Sequence, residues 1–335
     1  MNEWPTENPP YAITPQIVDL VVRIGEAIGR LDEYAIRRDL RLRKINRIRT
    51  IQGSLAIEGN MLSEDEITAI LEGKPVIAPP REVQEVRNAL KTYDEFQNWN
   101  SASIDDLLTA HEILMTGLLD TPGQFRHINV GVVGGDEVRH AAPSARRVPM
   151  LMDNLLTWLS QTEEHPLIAS SVFHYEFEFI HPFEDGNGRM GRLWQSLILA
   201  QWKPLFAYVP VESLIYARQG SYYEAIQQST AEGASTIFIV YMLESILDAV
   251  VSTPQETLQV TPQVKRLLSV LKSEMSLRQM MDALELQDRK SFRQRYLRPA
   301  LDCGYVEMTQ PESPTARNQR YRSTARGQAV RQSNS

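Results

Sequence analysis

His181-Pro182-Phe183-Glu184-Asp185-Gly186-Asn187-Gly188-Arg189-Met190-Gly191-Arg192 runs directly into the apolar Leu193, Trp194, Leu197, Ile198 and Leu199. Glycines on both sides of Asn187 let the backbone turn tightly and present its N–H groups, and the apolar spacing that follows is that of a helix. A loop that enters a helix in this way offers unpaired donors at the positive end of the helix dipole, which makes an anion cradle. Arg189 and Arg192 lie three apart and share a helix face, where two guanidinium groups can hold a polyphosphate. Asp185 supplies the hard oxygen that commonly binds Mg²⁺ when phosphate oxygens and water complete the octahedron. His181, whose imidazole ordinarily titrates near ~6.5, suits a general base at neutral pH. The stretch is not the phosphate loop that ends in Gly-Lys-Ser/Thr, since no lysine follows the glycines. Nor is it the dinucleotide fingerprint, since no strand leads into it.

Outward from this stretch the chain reads as mainly α. Apolar residues recur at helical spacing through most of the first 250 positions, as in Ile17, Leu20, Val21, Ile24, Ala27, Ile28 and Leu31. Ser63 and Glu66 form a capping box ahead of Ile67, Ile70 and Leu71, with Gly73 and Pro75 as stops. Helices are expected from about 82 to 99 and from 103 to 118. The interval 123–149 differs: Phe125, Ile128, Val130 and Val132, followed by glycines 134 and 135, read as short strands about a glycine-rich turn.

The 335 residues carry 35 basic and 42 acidic side chains, a net charge of −7 that excludes a globally basic nucleic-acid binder. A 42% hydrophobic and 23% charged composition predicts a folded chain. Cys303 is the only cysteine, which fits a reducing cytoplasm and excludes a cysteine-based zinc site. No run approaches a membrane span, and the N-terminus lacks the basic and apolar regions of a signal peptide, so no membrane partner is expected.

A polar stretch from Ser252 to Pro262 marks a boundary at which the charge changes sign. Beyond residue 262 stand 14 basic and 7 acidic residues, net +7, leaving −14 for the preceding chain. Helical patterns begin at Val264, Leu277 and Arg289. Two short alternating runs follow, Tyr305 to Thr309 and Gln319 to Thr324, and the tail after Arg326 reads as frayed. Three helices and a basic wing resemble a winged helix-turn-helix, with Arg289, Lys290, Arg293, Arg295 and Arg298 on the third helix. DNA, through residues 263–330, is therefore one expected partner.

The motif from His181 to Arg192 matches His-x-Phe-x-Asp/Glu-Gly-Asn-Gly-Arg-x-x-Arg at every defined position, and on it the chain resembles the Fic family over about residues 50–250. The resemblance implies a Fic-type helical domain with a β-hairpin flap, and Mg²⁺-dependent transfer of AMP from ATP to a Ser, Thr or Tyr hydroxyl of a target protein. His181 would be the base and Asp185 the metal ligand. Gly186, Asn187, Gly188, Arg189, Met190, Gly191 and Arg192 would bind the nucleotide, with Arg189 at the β-phosphate and Arg192 at the γ-phosphate. Phe183 would be a core anchor. The flap, about 123–149, would register the target by strand addition, and Tyr222 or Tyr223 would meet the adenine.

Ser54-Leu55-Ala56-Ile57-Glu58-Gly59 resembles the family's inhibitory motif, which implies that Glu58 pairs with Arg192 and keeps the γ-phosphate from its fork. The expected organisation is an N-terminal helical region (1–100) holding that motif, a catalytic domain (101–252) and a winged-helix-like domain (263–330). A second copy of the chain is a further candidate partner. Two alternatives stand: a DNA-binding regulator or scaffold whose nucleotide site only senses ATP, and a Fic enzyme that removes AMP or uses another nucleotide.

Overall fold

The computed structural model describes residues 8–30, 40–134, 137–257, 262–302, 304–310, 316 and 319–332. It divides into two compact units, residues 1–33 with 44–253 and residues 34–43 with 254–335. Cys303 lies outside the described residues.

In the first unit, α1 (Pro15–Arg30) buries the stripe Ile17, Leu20 and Ile24. Next come α2 (Leu40–Ile57), α3 (Glu64–Leu71), α4 (Pro80–Glu95) and α5 (Ile104–Met115). The capping box forms as expected: Glu66 N–H donates to Ser63 Oγ at 3.3 Å and Ser63 N–H to the Glu66 carboxylate at 2.9 Å. Gly59, in the left-handed region at φ 90°, turns the chain out of α2 immediately after Glu58.

The hairpin consists of β1 (Gly131–Gly134) and β2 (Glu137–Ala141), antiparallel, with a register shift between Val132 and Val133. The strands start later than the alternation suggests. Phe125, Ile128 and Val130 lie outside them, because Phe125 packs on Phe183 and the neighbouring Arg126 is drawn inward.

The chain continues through α6 (Val148–Gln161), α7 (Pro166–Ile180), α8 (Asn187–Trp202), α9 (Val211–Ala217), α10 (Gln219–Glu232) and α11 (Thr236–Thr257). α7 and α8, joined by the motif loop, form the most extensively packed helix pair. Both are buried nearly all round, so the loop between them is presented by the most rigid part of the unit. One continuous core draws on residues from α1 to α11, and the regions on either side of residue 100 share it. Over Thr236–Thr253, α11 is long and apolar enough to cross a membrane, contrary to the expectation that no run approaches one. Phe238, Ile239, Met242, Leu243 and Ile246 on this helix are wholly buried in the core.

The second unit has its own core, including Leu267, Leu271, Met280, Phe292, Leu297 and Tyr305. It comprises α12 (Pro262–Val270), α13 (Leu277–Ala283), and a continuous helical stretch made of α14 (Arg289–Phe292), a π turn (293–297) and α15 (Arg298–Asp302). An antiparallel pair follows, β3 (Val306–Met308) with β4 (Tyr321–Ser323), and a single bridge joins Met275 to Tyr321. The tail is not frayed where expected. It forms α16 (Ala325–Gln332), because Gly327 N–H is capped by Thr324 Oγ1 and Val330 packs on the core.

Candidate active site

α7 ends at His181, whose φ of 51° and ψ of 62° place it in the left-handed region, uncommon for a residue with a Cβ. Its N–H still closes the helix on Phe177 O at 2.9 Å. Two residues on, Phe183 is wholly buried and stacks on His111, with ring centroids 3.6 Å apart. His111 Nδ1 accepts from Gly123 N–H at 2.9 Å, which leaves Nε2 to donate to Asp185 O at 3.0 Å. Burial pushes the His111 pKa down to about 4, so the ring is a neutral strut whose two nitrogens are both committed.

Asn187 closes the loop from the other side. Its side chain accepts from Phe183 N–H and donates to Phe183 O, both at 2.9 Å. Gly186, at φ 85°, is the N-cap of α8, and a Cβ there would approach Met115 Sδ to 2.7 Å. The loop therefore holds its shape through Asn187 within it and His111 from α5 beside it, and α8 begins with its dipole end at the mouth of the site.

The two arginines have different surroundings. Arg192, with a side chain 1% exposed, donates from Nη2 to Glu58 Oε1 at 2.7 Å and to Ser54 O at 2.9 Å, and from Nε to Ser54 Oγ at 3.2 Å. Burial works most strongly against its charge, but Glu58, Tyr222 and Glu178 together outweigh that and hold its pKa above the ordinary value. A Cβ on Gly188 would collide with the Glu58 carboxylate and come within 3.0 Å of Arg192 Nη1. The Glu58 carboxylate thus lies on the backbone at the start of α8, where the cradle would take an anion. Arg189 turns elsewhere, to Asp185 Oδ1 at 3.2 Å and Glu85 Oε1 at 3.7 Å. Arg81, from the first turn of α4, reaches Asp185 Oδ2 at 3.3 Å and Glu85 at 3.5 Å.

A structure of a Fic family protein from Desulfovibrio desulfuricans G20 is 51% identical, covers 95% of this chain and 98% of its own, and superimposes with a TM-score of 0.73. This chain belongs to the Fic family. The Fic/DOC family model matches residues 101–199, and that of the C-terminal domain of Fic-like proteins (filamentation induced by cAMP) matches 262–324. Protein adenylyltransferase Fic of Aedes aegypti is 30% identical over 165 residues, 45% of this chain and 32% of that protein. The protein of the same name from Nematostella vectensis is 30% identical over 190 residues, 53% of this chain and 42% of that protein. The chain thus spans about a third to two-fifths of the length of these curated relatives.

Within this Fic fold the expected site residues separate into two groups. His181, Asp185, Gly186, Asn187, Gly188, Arg189, Arg192, Ser54 and Glu58 gather around the start of α8. Three others that were expected to bind the nucleotide are core residues. Met190 is wholly buried and its N–H donates to Gly186 O. Gly191 packs α8 on α7, with space for a Cβ closed by His174 and Glu178. Tyr222 is 2% exposed, its hydroxyl lies 3.1 Å from His174 Nε2, and its ring packs on Tyr223, Phe238 and Tyr241. Tyr223 is half-buried and, like Tyr222, lies within the field of Glu58 and Arg192, so it is the more accessible member of the pair.

Three contributors were not legible in the sequence. His111 lies on an ordinary amphipathic helix, and only its stacking on Phe183 and its bonds to Gly123 and Asp185 give it a role. Glu85 is one of several acids on α4. Glu178, its side chain 11% exposed, has its pKa raised to about 7 by burial. Arg192 opposes that rise and Glu58 adds to it.

Proposed function

We propose that this Fic protein transfers AMP from ATP to a Ser, Thr or Tyr hydroxyl of a target protein, and that Glu58 restrains it. The observation that carries the reading is the buried fork of Arg192 held by Glu58 at 2.7 Å at the mouth of the α8 cradle. The names of the curated relatives support the choice of donor. His181 takes the hydroxyl proton, the oxygen attacks the α-phosphorus, and the bond to pyrophosphate breaks. The first N–H groups of α8 and the two arginines face the negative charge that builds on the phosphates.

Asp185, 42% exposed, fits a single-carboxylate Mg²⁺ site completed by nucleotide oxygens, once Arg81 and Arg189 yield it. Bound Mg²⁺ would neutralise phosphate charge. With Glu58 on Arg192, the γ-phosphate loses a bidentate partner and ATP binds out of line for attack. The antiparallel pair β1–β2 offers backbone groups to an extended target segment.

Incubation with ATP labelled in the α-phosphate tests this. Glu58→Gly should label substrate at least about tenfold faster than wild type, the scale expected when one charged contact is removed. His181→Ala should bind ATP and label nothing. Equal rates for Glu58→Gly and wild type would remove the restraint from the proposal, and labelling by His181→Ala would remove the base.

The second unit has a separate role in this proposal, contact with double-stranded nucleic acid. Arg289, Lys290, Arg293 and Arg295 are exposed on its third helical stretch and form no ion pair among the described residues.

A further inference from the structure

Arg126 is one of the largest side chains in the molecule to be wholly enclosed, and among the described residues it has no carboxylate partner. Every nitrogen of its guanidinium group instead donates to backbone carbonyls. Nε reaches His181 O at 2.7 Å and Nη2 reaches Ile180 O at 3.3 Å and Pro143 O at 2.5 Å, while Nη1 reaches Ile128 O at 2.8 Å. Its own N–H adds Pro182 O at 2.9 Å. One residue thus binds three consecutive carbonyls at the end of α7, two through its side chain and one through its backbone N–H, and its side chain adds one carbonyl on each side of the hairpin, where Asn129 Oδ1 accepting from Ala145 N–H makes a second cross-tie.

The location explains the chemistry. A helix end leaves carbonyls without partners and carries the negative end of the dipole, so a buried cation is favoured there without an acid. Only the planar fork of arginine, with five donors, can serve four acceptors from three segments at once. The left-handed conformation of His181 aims the imidazole, and the carbonyl of that same residue takes the shortest of the three bonds to the end of α7.

We propose that Arg126 is a positioning residue that fixes His181 relative to the flap, so that the hydroxyl of a segment paired with the hairpin arrives at the imidazole in register. It acts through His181 and touches no substrate. This rests on the adenylyl-transfer reading, but part of its test does not.

The experiment compares Arg126→Lys with its parent, both carrying Glu58→Gly so that turnover can be measured. Lysine keeps the charge and loses the fork, and Arg126→Gln serves in its place if melting curves show the lysine variant unfolded. The expected result is a kcat at least about 30-fold lower with the KM for ATP within about threefold, since the phosphate-binding residues are untouched. Hydrogen exchange, which needs no activity, should quicken at least about tenfold in residues 180–183 together with 126–130 and 142–147, and stay unchanged in α8. Unchanged exchange in those segments would overturn the proposal. So would a kcat that falls only in step with ATP affinity. If the parent transfers no AMP, the functional reading fails and exchange alone decides on Arg126.

Discussion

Glu178 carries a carboxyl group where water is scarce. It lies 3.8 Å from His174 Nε2, which burial keeps neutral with a pKa pushed down to about 3, so no cation answers it there. Among the groups that act on it, Arg192 favours ionisation, while burial and Glu58 oppose it. With its pKa raised to about 7 from an ordinary value near 4.5, the native state holds a proton that the unfolded chain has lost. Stability from this group is therefore complete below about pH 4.5 and is lost as pH rises through 7. Glu178→Gln should match wild type in stability near pH 5 and exceed it near pH 8 by roughly 2–3 kcal/mol, from 1.36 kcal/mol per pKa unit. Unfolding followed by tryptophan fluorescence reports the first unit, because all five tryptophans precede residue 203. A stability difference that does not change between pH 5 and 8 would mean that Glu178 is ionised throughout.

At the scale of elements, what was legible in the sequence was what local chemistry determines. The capping box at Ser63, the glycine-flanked loop and the helix of apolar residues after Arg192 formed as read, because each depends on neighbours within four positions. The pairing of Glu58 with Arg192 spans 134 positions and was legible only through the motif's resemblance. What periodicity could not supply was which of two adjacent helical residues faces inward. Tyr222 and Tyr223 start α10 side by side, and only the packing of Phe238 and Tyr241 from α11 turns the first into the core. The two should separate on mutation. Tyr222→Ala should cost about 3–5 kcal/mol, as for other large aromatic truncations, whereas Tyr223→Ala should leave the melting temperature nearly unchanged and raise the KM for ATP several-fold. If Tyr222→Ala weakened ATP binding without loss of stability, the assignment of faces would be reversed.

On the scale of the whole molecule, the net charge of −7 conceals a body at −14 and a C-terminal segment at +7. The acidic body opposes an approaching polyanion over long range, but screening confines that effect to about 10 Å at 0.1 M salt. Near a nucleic-acid backbone the local set governs. Lys290, Arg293 and Arg295 project from one helical stretch with no ion pair among the described residues, whereas Arg322 is held by Glu307 at 2.6 Å. Arg322 thus already has an acidic partner across β3 and β4, and contact through this unit should depend on the helix. The full chain should bind a duplex of about 30 base pairs in fluorescence anisotropy, and three or four phosphate contacts predict affinity about 40- to 150-fold weaker at 200 mM than at 50 mM salt. Reversal of Lys290, Arg293 and Arg295 to glutamate should abolish binding and leave AMP transfer unchanged, since none of them belongs to the first unit. Equal affinity of the reversed variant and wild type would exclude this helix as the nucleic-acid surface.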